Sequence, residues 1–483
     1  MNESITENKE LNIWEALIPV VVLVGMLGYN VYVFGDDALS GSNQFILLLG
    51  GGVAAIIGFF NKVSENIKSS AGAILILLMV GALAGTWLVS GIIPAMIYYG
   101  LQILSPSVFL PASLIICSII SIATGSSWTT SATVGIALIG IGGTLGFPLG
   151  MVAGAVVSGA YFGDKLSPMS DTTNLAPAMA GTDLFTHIRY MLYTTVPTYI
   201  LTLIIFIVLG LTVETSGVAD SSILLNDIKT TFNISPVLFL VPVIVIGLIA
   251  KKTEPLIALL LGTLLAAVFA VIFQPHIVLM LSGASTMSIE NAYKGVLKAI
   301  TVESVIPTEV ETLKDLYVSG GMQSMLTTVW LILCAMVFGG IMDAIGALAR
   351  ISKTLLSLAQ STFGLFAATV GSCLALNITA SDQYLAIVVP GKMFSKAFDD
   401  KGLAPENLSR TLEDSGTVSS VLIPWNTCGA YHASTLGVNT LDYLPYAFFN
   451  LISPFMTLIF AAFSIKIKML NGKYLSSEKS ISV

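Results

Sequence analysis

Long apolar runs alternate with short polar breaks along the whole chain. A helix needs about 20 mostly apolar residues to cross a bilayer. Residues 13–34, 43–60, 71–90, 106–124, 132–162 (two segments), 187–212, 235–250, 254–274, 326–347, 363–378 and 443–465 read as spans. Other runs are interrupted. Gly91 and Pro94 break the run after Trp87, and Gly143, Gly146 and Pro148 break another. The apolar run 383–391 is too short to cross, and 416–438 is broken by Pro424, Asn426 and Gly429. The pattern predicts an all-α, polytopic membrane protein with broken helices.

The two halves resemble each other at an offset of about 255 residues. GALAGTWLVSGI at 81–92 aligns with GGIMDAIGALAR at 339–350, and GSSWTTS at 125–131 with NITASDQ at 377–383. Residues 182–208 align with 439–463, so that Tyr190 pairs with Tyr446 and Pro197 with Pro454. Loop charges then predict orientation, because basic loops stay cytoplasmic. GDDALSGS after the first span is acidic and reads as external; the next loop carries Lys62 and Lys68 and reads as internal. In the second half Lys251 and Lys252 follow the first span directly, so the order flips. The expected organisation is a cytoplasmic N-terminus (1–12), a first repeat (13–212), an extracellular link (213–233), an inverted second repeat (234–465) and a cytoplasmic tail (466–483). Within the second repeat, 276–325 is a polar, external excursion whose AYKGVLKAI stretch reads as an interfacial helix.

Composition agrees with the pattern. Of 483 residues, 55% are hydrophobic and 10% charged, against roughly 25% charged in soluble domains. The formal charge of -7 comes with no basic patch, so nucleic acid is not an expected partner. The first run lacks a basic leader and a small-residue cleavage site, so a retained helix is expected rather than a signal peptide. Cys117, Cys334, Cys373 and Cys428 are single and expected to be free and buried. His187, His276 and His432 are too scattered for a metal cluster. No transition metal and no cofactor is expected, and no serine–histidine pairing or HExxH string supports an enzyme.

Charges and hydroxyls at membrane depth are costly unless they line a cavity or bind something. Two constellations stand out. GSSWTTS offers Ser126, Ser127, Thr129, Thr130 and Ser131, and the opposing segment offers Asn377, Thr379, Ser381, Asp382 and Gln383. Hydroxyl, amide and carboxylate oxygens at a helix break are hard ligands that suit Na⁺. The alternative for each hydroxyl is a bond to a preceding helical carbonyl. GDKLSPMSDTTN supplies Asp164, Lys165, Asp171, Thr172, Thr173 and Asn174, and Asp171 is the favoured functional carboxylate. Asp164 and Lys165 read either as a neutralised pair lining a cavity or as a surface turn, the turn being favoured for Lys165. The second half supplies Glu413, Asp414, Ser415, Thr417, Asn426 and Thr427. Asp343 is a further acid inside an apolar run, either an ion ligand or a structural partner of Arg350 or the backbone.

A carboxyl kept from bulk water holds its proton, whereas a Na⁺ beside it favours the ionised form. One pocket can therefore hold either ion in turn, which is sufficient for antiport. GSSWTTSATVGIALIGIG, GAYFGDKLSPMSDTTNLAPAMAG and IPWNTCGAYHASTLGV together resemble the signature stretches of the NhaC family of Na⁺/H⁺ antiporters, within the larger ion transporter superfamily. The resemblance runs from Trp14 to Ile465. It implies a bacterial inner-membrane carrier exchanging Na⁺ or Li⁺ for H⁺, with re-entrant hairpins, elevator-type motion and often a homodimer. The alternative is a Na⁺- or H⁺-coupled exchanger of a small organic acid or amino acid, such as malate against lactate. Arg189, Arg350 and Arg410 are the only arginines, but helix N-termini bind carboxylates without arginine.

Overall fold

A computed structural model describes residues 13–34, 47, 70–213 and 221–475. The predicted span 43–60, the loops bearing Lys62 and Lys68, and both terminal segments lie largely or wholly outside them. The described chain is helical apart from a two-stranded ribbon, Ser304–Val305 with Val318–Ser319. Among the described residues, six helices are long and apolar enough to cross a membrane, or up to eight counting two bent pairs. The six are Ala71–Val89, Pro106–Thr124, Leu184–Thr212, Pro255–Phe273, Gly321–Ala344 and Thr362–Thr379. The bent pairs, Ser222–Thr231 with Pro236–Ala250 and Thr440–Tyr446 with Phe448–Ala462, turn by 81° and 54°.

Helix boundaries reveal the repeat directly. Pro106–Thr124 ends at Gly125 (φ 69°), and Thr362–Thr379 is followed by Ser381 (φ 58°), 256 positions later. Asp171–Ala180 and Thr427–Leu436 are both ten-residue helices, capped at the start by Ser170 and Asn426. Both stop at a left-handed glycine, Gly181 or Gly437. Gly91 and Gly346 likewise open Ile92–Ile103 and Ala347–Ser357. Tyr190 and Tyr446 keep this offset.

The structural register corrects two alignments. Gly91 pairs with Gly346, which moves the partner of 81–92 three residues back from 339–350. The break at 125–131 corresponds to 381–387 rather than 377–383, so the Thr129 and Thr130 hydroxyls face no counterpart hydroxyls. The span expectation holds at one further place and needs correction at another. The stretch 132–162 does divide, into Ile136–Thr144 and Leu149–Leu166, around Gly146 (φ 83°). The run 383–391 extends much further, as Gln383–Asp400. Phe394 and Phe398 keep its inner face apolar at four-residue spacing while Lys392, Lys396 and Asp399 face outward, so helical pattern continues after the apolar run stops.

Close glycine packing sets the core of the first half. A Cβ on Gly159 would lie 2.4 Å from the Leu114 carbonyl oxygen, and one on Gly163 would lie 2.5 Å from that of Ser118. These small residues, four apart, let Leu149–Leu166 lie directly on Pro106–Thr124, as membrane helices do. The polar excursion is folded rather than spread on lipid. Ile289–Thr301 packs on Ala71–Val89, with Ala299 against Gly85. Asp227 in the inter-half link accepts from Tyr317 Oη (2.9 Å) and Thr308 Oγ1 (3.2 Å), joining link and excursion on one face.

Candidate functional site

Both helix breaks open onto one cavity of about 550 Å³. From the first half it is lined by Thr124 through Trp128, Asp164 and Met169 through Thr172; from the second, by Asp382, Gln383, Tyr384, Thr427 and Cys428. Ser70, Lys252 and Glu254 stand at helix ends along its wall.

Each break is held by its own capping residue. Ser126 accepts from Thr129 N (3.2 Å), and Asp382 accepts from Leu385 N (3.0 Å). Such caps satisfy amides that the broken helix would leave bare. Each break also rests on the loop that follows in its own half. Gly125 sits against Met169, and Thr427 N donates to Ser381 O (3.0 Å).

Asp164 is the buried carboxylate of the first half. Its Oδ2 accepts from Ser127 Oγ (2.7 Å) and Ser127 N (3.2 Å), and the residue is 7% exposed. Asp382 is also 7% exposed. Thr172 lies beside Ser170 (3.2 Å between hydroxyls), and Thr427 opens its helix on the same cavity. Thus Asp164, Asp171, Asp382, Ser127, Thr172 and Thr427 share one cavity.

The other expected ligands do not line it. Thr130 Oγ1 donates to Ser126 O (2.9 Å), Thr379 Oγ1 to Ala375 O (2.8 Å), and Thr173 Oγ1 to Lys165 O (3.1 Å). Thr129 Oγ1 donates to Ser126 Oγ (3.1 Å). For Thr130 and Thr379 the preceding-carbonyl alternative holds. Asn174 is exposed and donates to Ser170 O (2.7 Å). Asn377 donates to Gly416 O (2.7 Å), and Asn426 caps Cys428 N (3.0 Å) while donating to Asn377 O (3.1 Å). These amides tie the second break to the segment 416–428 of its own half. Asp343 stands away from the cavity, in the last turn of Leu326–Ala344.

Two readings are overturned. Asp171 is exposed at the cavity mouth, touched only by Tyr384 Oη at 3.5 Å, so crowding by hydroxyls does not bury it. Lys165 is not a surface turn. It is fully buried and ion-paired with the equally buried Asp414, which also accepts from Thr457 Oγ1 and Ser453 Oγ. Asp414 is therefore a structural partner rather than a cavity ligand. The signal was present: Lys165 follows a long apolar stretch, and a buried lysine needs an acid within reach.

Aromatic contacts close the cavity at its inner end. Trp128 and Tyr431 stack with centroids 3.9 Å apart, and Tyr431 Oη donates to Trp128 O (3.1 Å). Beside them His432 Nδ1 lies 3.0 Å from Ser131 Oγ. Every one of these contacts crosses between halves. All four cysteines are free and buried, and no group of three His, Cys, Asp or Glu side chains among the described residues is placed to hold a metal.

The model of a family described as the Na⁺/H⁺ antiporter family matches residues 159–465. The Na⁺/H⁺ antiporter NhaC of Alkalihalophilus pseudofirmus is 38% identical over 422 residues, covering 86% of this chain and 88% of that protein. NhaC of Bacillus subtilis is 36% identical over 397 residues, 82% and 84% of the two chains. The malate-2H⁺/Na⁺-lactate antiporter of Bacillus subtilis is 37% identical over 402 residues, 83% of each. With a family match over more than half its length and relatives aligned nearly end to end, this chain belongs to the Na⁺/H⁺ antiporter family.

Proposed function

We propose that the protein exchanges Na⁺ for H⁺ across the cytoplasmic membrane of a bacterium, with both ions competing for the cavity at the paired helix breaks. The observation that carries this reading is the convergence of Asp164 and Asp382, one from each half, on a single cavity. Na⁺ binds among these two carboxylates and the oxygens of Ser127, Thr172 and Thr427. Protonation of the carboxylates releases it. Lys252 lies at the cavity's rim, and basic ends remain cytoplasmic. The cavity therefore opens inward, with the Trp128–Tyr431 stack closing the outward path. Alternating access follows from moving the two break-bearing segments against the rest, and both chain ends are cytoplasmic. A homodimer and transport of Li⁺ belong to the same reading.

The cavity is much larger than one Na⁺, and Lys252 lines it. These features favour, as second reading, co-occupancy by a small carboxylate, the chemistry named for the malate-2H⁺/Na⁺-lactate relative. Purified protein in liposomes separates the two. Na⁺-driven proton movement without any organic acid supports the first reading. Absence of a response to Na⁺ or Li⁺ between about pH 6 and 9, with uptake of labelled dicarboxylate or amino acid, supports the second.

A further inference from the structure

The charged groups that the cavity does not use gather behind it. Glu413 is fully buried, and neither carboxyl oxygen has a hydrogen-bond partner. Thr417 Oγ1, one turn later, is also buried and unpartnered. Arg410, one turn earlier, is fully buried with Nε, Nη1 and Nη2 all unpartnered. Its guanidinium stands 4.6 Å from the Tyr190 ring centroid and 5.8 Å from that of Phe460. Residues three and four apart share a helical face, so Arg410, Glu413 and Thr417 form one stripe.

An ionised carboxylate without hydrogen bonds or a cation costs several kcal/mol to bury. The Lys165 ammonium acts on it only without contact. Lys165 and Asp414 already satisfy each other, and Thr457 and Ser453 complete Asp414. The arginine cannot shed its charge, and it rests on aromatic faces instead. We propose that Glu413 is a second proton-binding site, in addition to the cavity carboxylates at which Na⁺ and H⁺ compete. It is neutral in the conformation seen here, and when ionised it pairs with Arg410. The proton sits on a Glu413 carboxyl oxygen; on its departure the carboxylate swings one turn to the guanidinium. A dehydrated Na⁺ at this place would face the Lys165 ammonium, which repels it. The charged groups acting on Glu413 are Lys165, Asp164 and Asp414, and Arg410 stands one turn earlier on its own helix. Peptide bonds link this site to the cavity. Asp164 adjoins Lys165 in sequence, and Glu413 adjoins the partner of that lysine.

The inference deepens the Na⁺/H⁺ reading and rests on it. Full-length protein in liposomes is assayed for Na⁺-driven proton flux and for ²²Na⁺/Na⁺ exchange, with wild type in parallel. E413Q is expected to move about half as many protons per Na⁺ while Na⁺/Na⁺ exchange stays within about two-fold. R410Q removes the partner of the ionised form, so the midpoint of its pH profile moves alkaline by about one unit or more. Infrared spectra at neutral pH are expected to contain a protonated-carboxyl stretch that E413Q lacks. An unchanged number of protons per Na⁺ in E413Q, both fluxes lost together, an unmoved R410Q profile, or the same infrared band in both proteins overturns the inference. A wild type that moves no protons overturns the antiport reading instead.

Discussion

Ser127 donates its hydroxyl to Asp164 at 2.7 Å, and the residues 256 positions later, Gln383 and Ser420, repeat that contact with the roles exchanged. There Ser420 Oγ donates to Gln383 Oε1 at 3.0 Å. The repeat has kept the geometry of the contact and put the acid on one side only. Asp382, which caps the second break, supplies the other carboxylate one residue away from Gln383. The cavity is thus symmetric in shape and asymmetric in charge.

That asymmetry ranks the acids. Asp164→Asn removes the buried, hydrogen-bonded carboxylate and is expected to lower Na⁺-driven proton flux at least about ten-fold, with expression near wild type. Asp382→Asn is expected to do the same while retaining part of the cap. Asp171→Asn, at the exposed mouth, is expected to change flux less than about three-fold. Proteoliposome assays of the three at matched protein amounts check the order. A larger loss in D171N than in D164N contradicts it.

Lys165 and Asp414 join the halves through a buried pair, and the cost of breaking it is unequal to the cost of removing it. Lys165→Met leaves the Asp414 carboxylate uncompensated and is expected to destabilise the protein by about 3–5 kcal/mol. The double variant K165M/D414L is expected to recover most of that loss, because no charge remains to be paired. Thermal unfolding in detergent, run as a double-mutant cycle, measures the difference.

The Gly125 turn is constrained twice, by backbone conformation and by space. At φ 69° a Cβ would meet Met169 Cβ at 2.7 Å and the Met169 carbonyl carbon at 2.9 Å. Gly437 has a similar φ of 66° but nothing within 4 Å. Gly437→Ala is therefore expected to cost about 1–2 kcal/mol of left-handed strain, and Gly125→Ala clearly more, together with lost transport. Unfolding temperatures of the two variants side by side test this. Equal shifts would place the cost in strain alone.

The architecture was legible in sequence where apolar length decided it. Spans such as Pro106–Thr124 and Leu184–Thr212, the divided 132–162 stretch and the existence of a repeat follow from hydropathy and breaks. Gln383–Asp400 was missed because its second half carries polar residues outward, and a length rule sees only the apolar part. The repeat register was misplaced by three or four residues because like letters were matched; the left-handed turns at Gly125 and Ser381 are conformational equivalents with different side chains. Site residues divided along physical lines. Asp164 and Asp382 stand out in sequence because a buried acid needs a reason, and both line the cavity. Asp171 was overvalued because hydroxyl neighbours in sequence cap a helix start rather than enclose a ligand. The Lys165–Asp414 pair joins residues 249 apart, which no local pattern reveals.

Lys468 fastens the chain after the last helix. Its Nζ donates to Glu406 Oε1 at 2.6 Å, and its backbone carbonyl accepts from Ala404 N (2.9 Å) and Asn407 Nδ2 (2.7 Å). The Glu406 hydrogen bond holds the ammonium above its ordinary value. A cation stabilised in this way contributes fully below its unfolded pKa, about 10.4, and the contribution is lost as pH rises through the higher folded value. The partly exposed pair contributes no more than about 1 kcal/mol. Protease cleavage within 466–475 is therefore expected to be independent of pH up to about 10 and to rise above it. In Glu406→Gln the cleavage is expected to be faster throughout, and the alkaline step smaller. Cleavage in E406Q with an undiminished alkaline step would assign the pH dependence to a group other than this lysine.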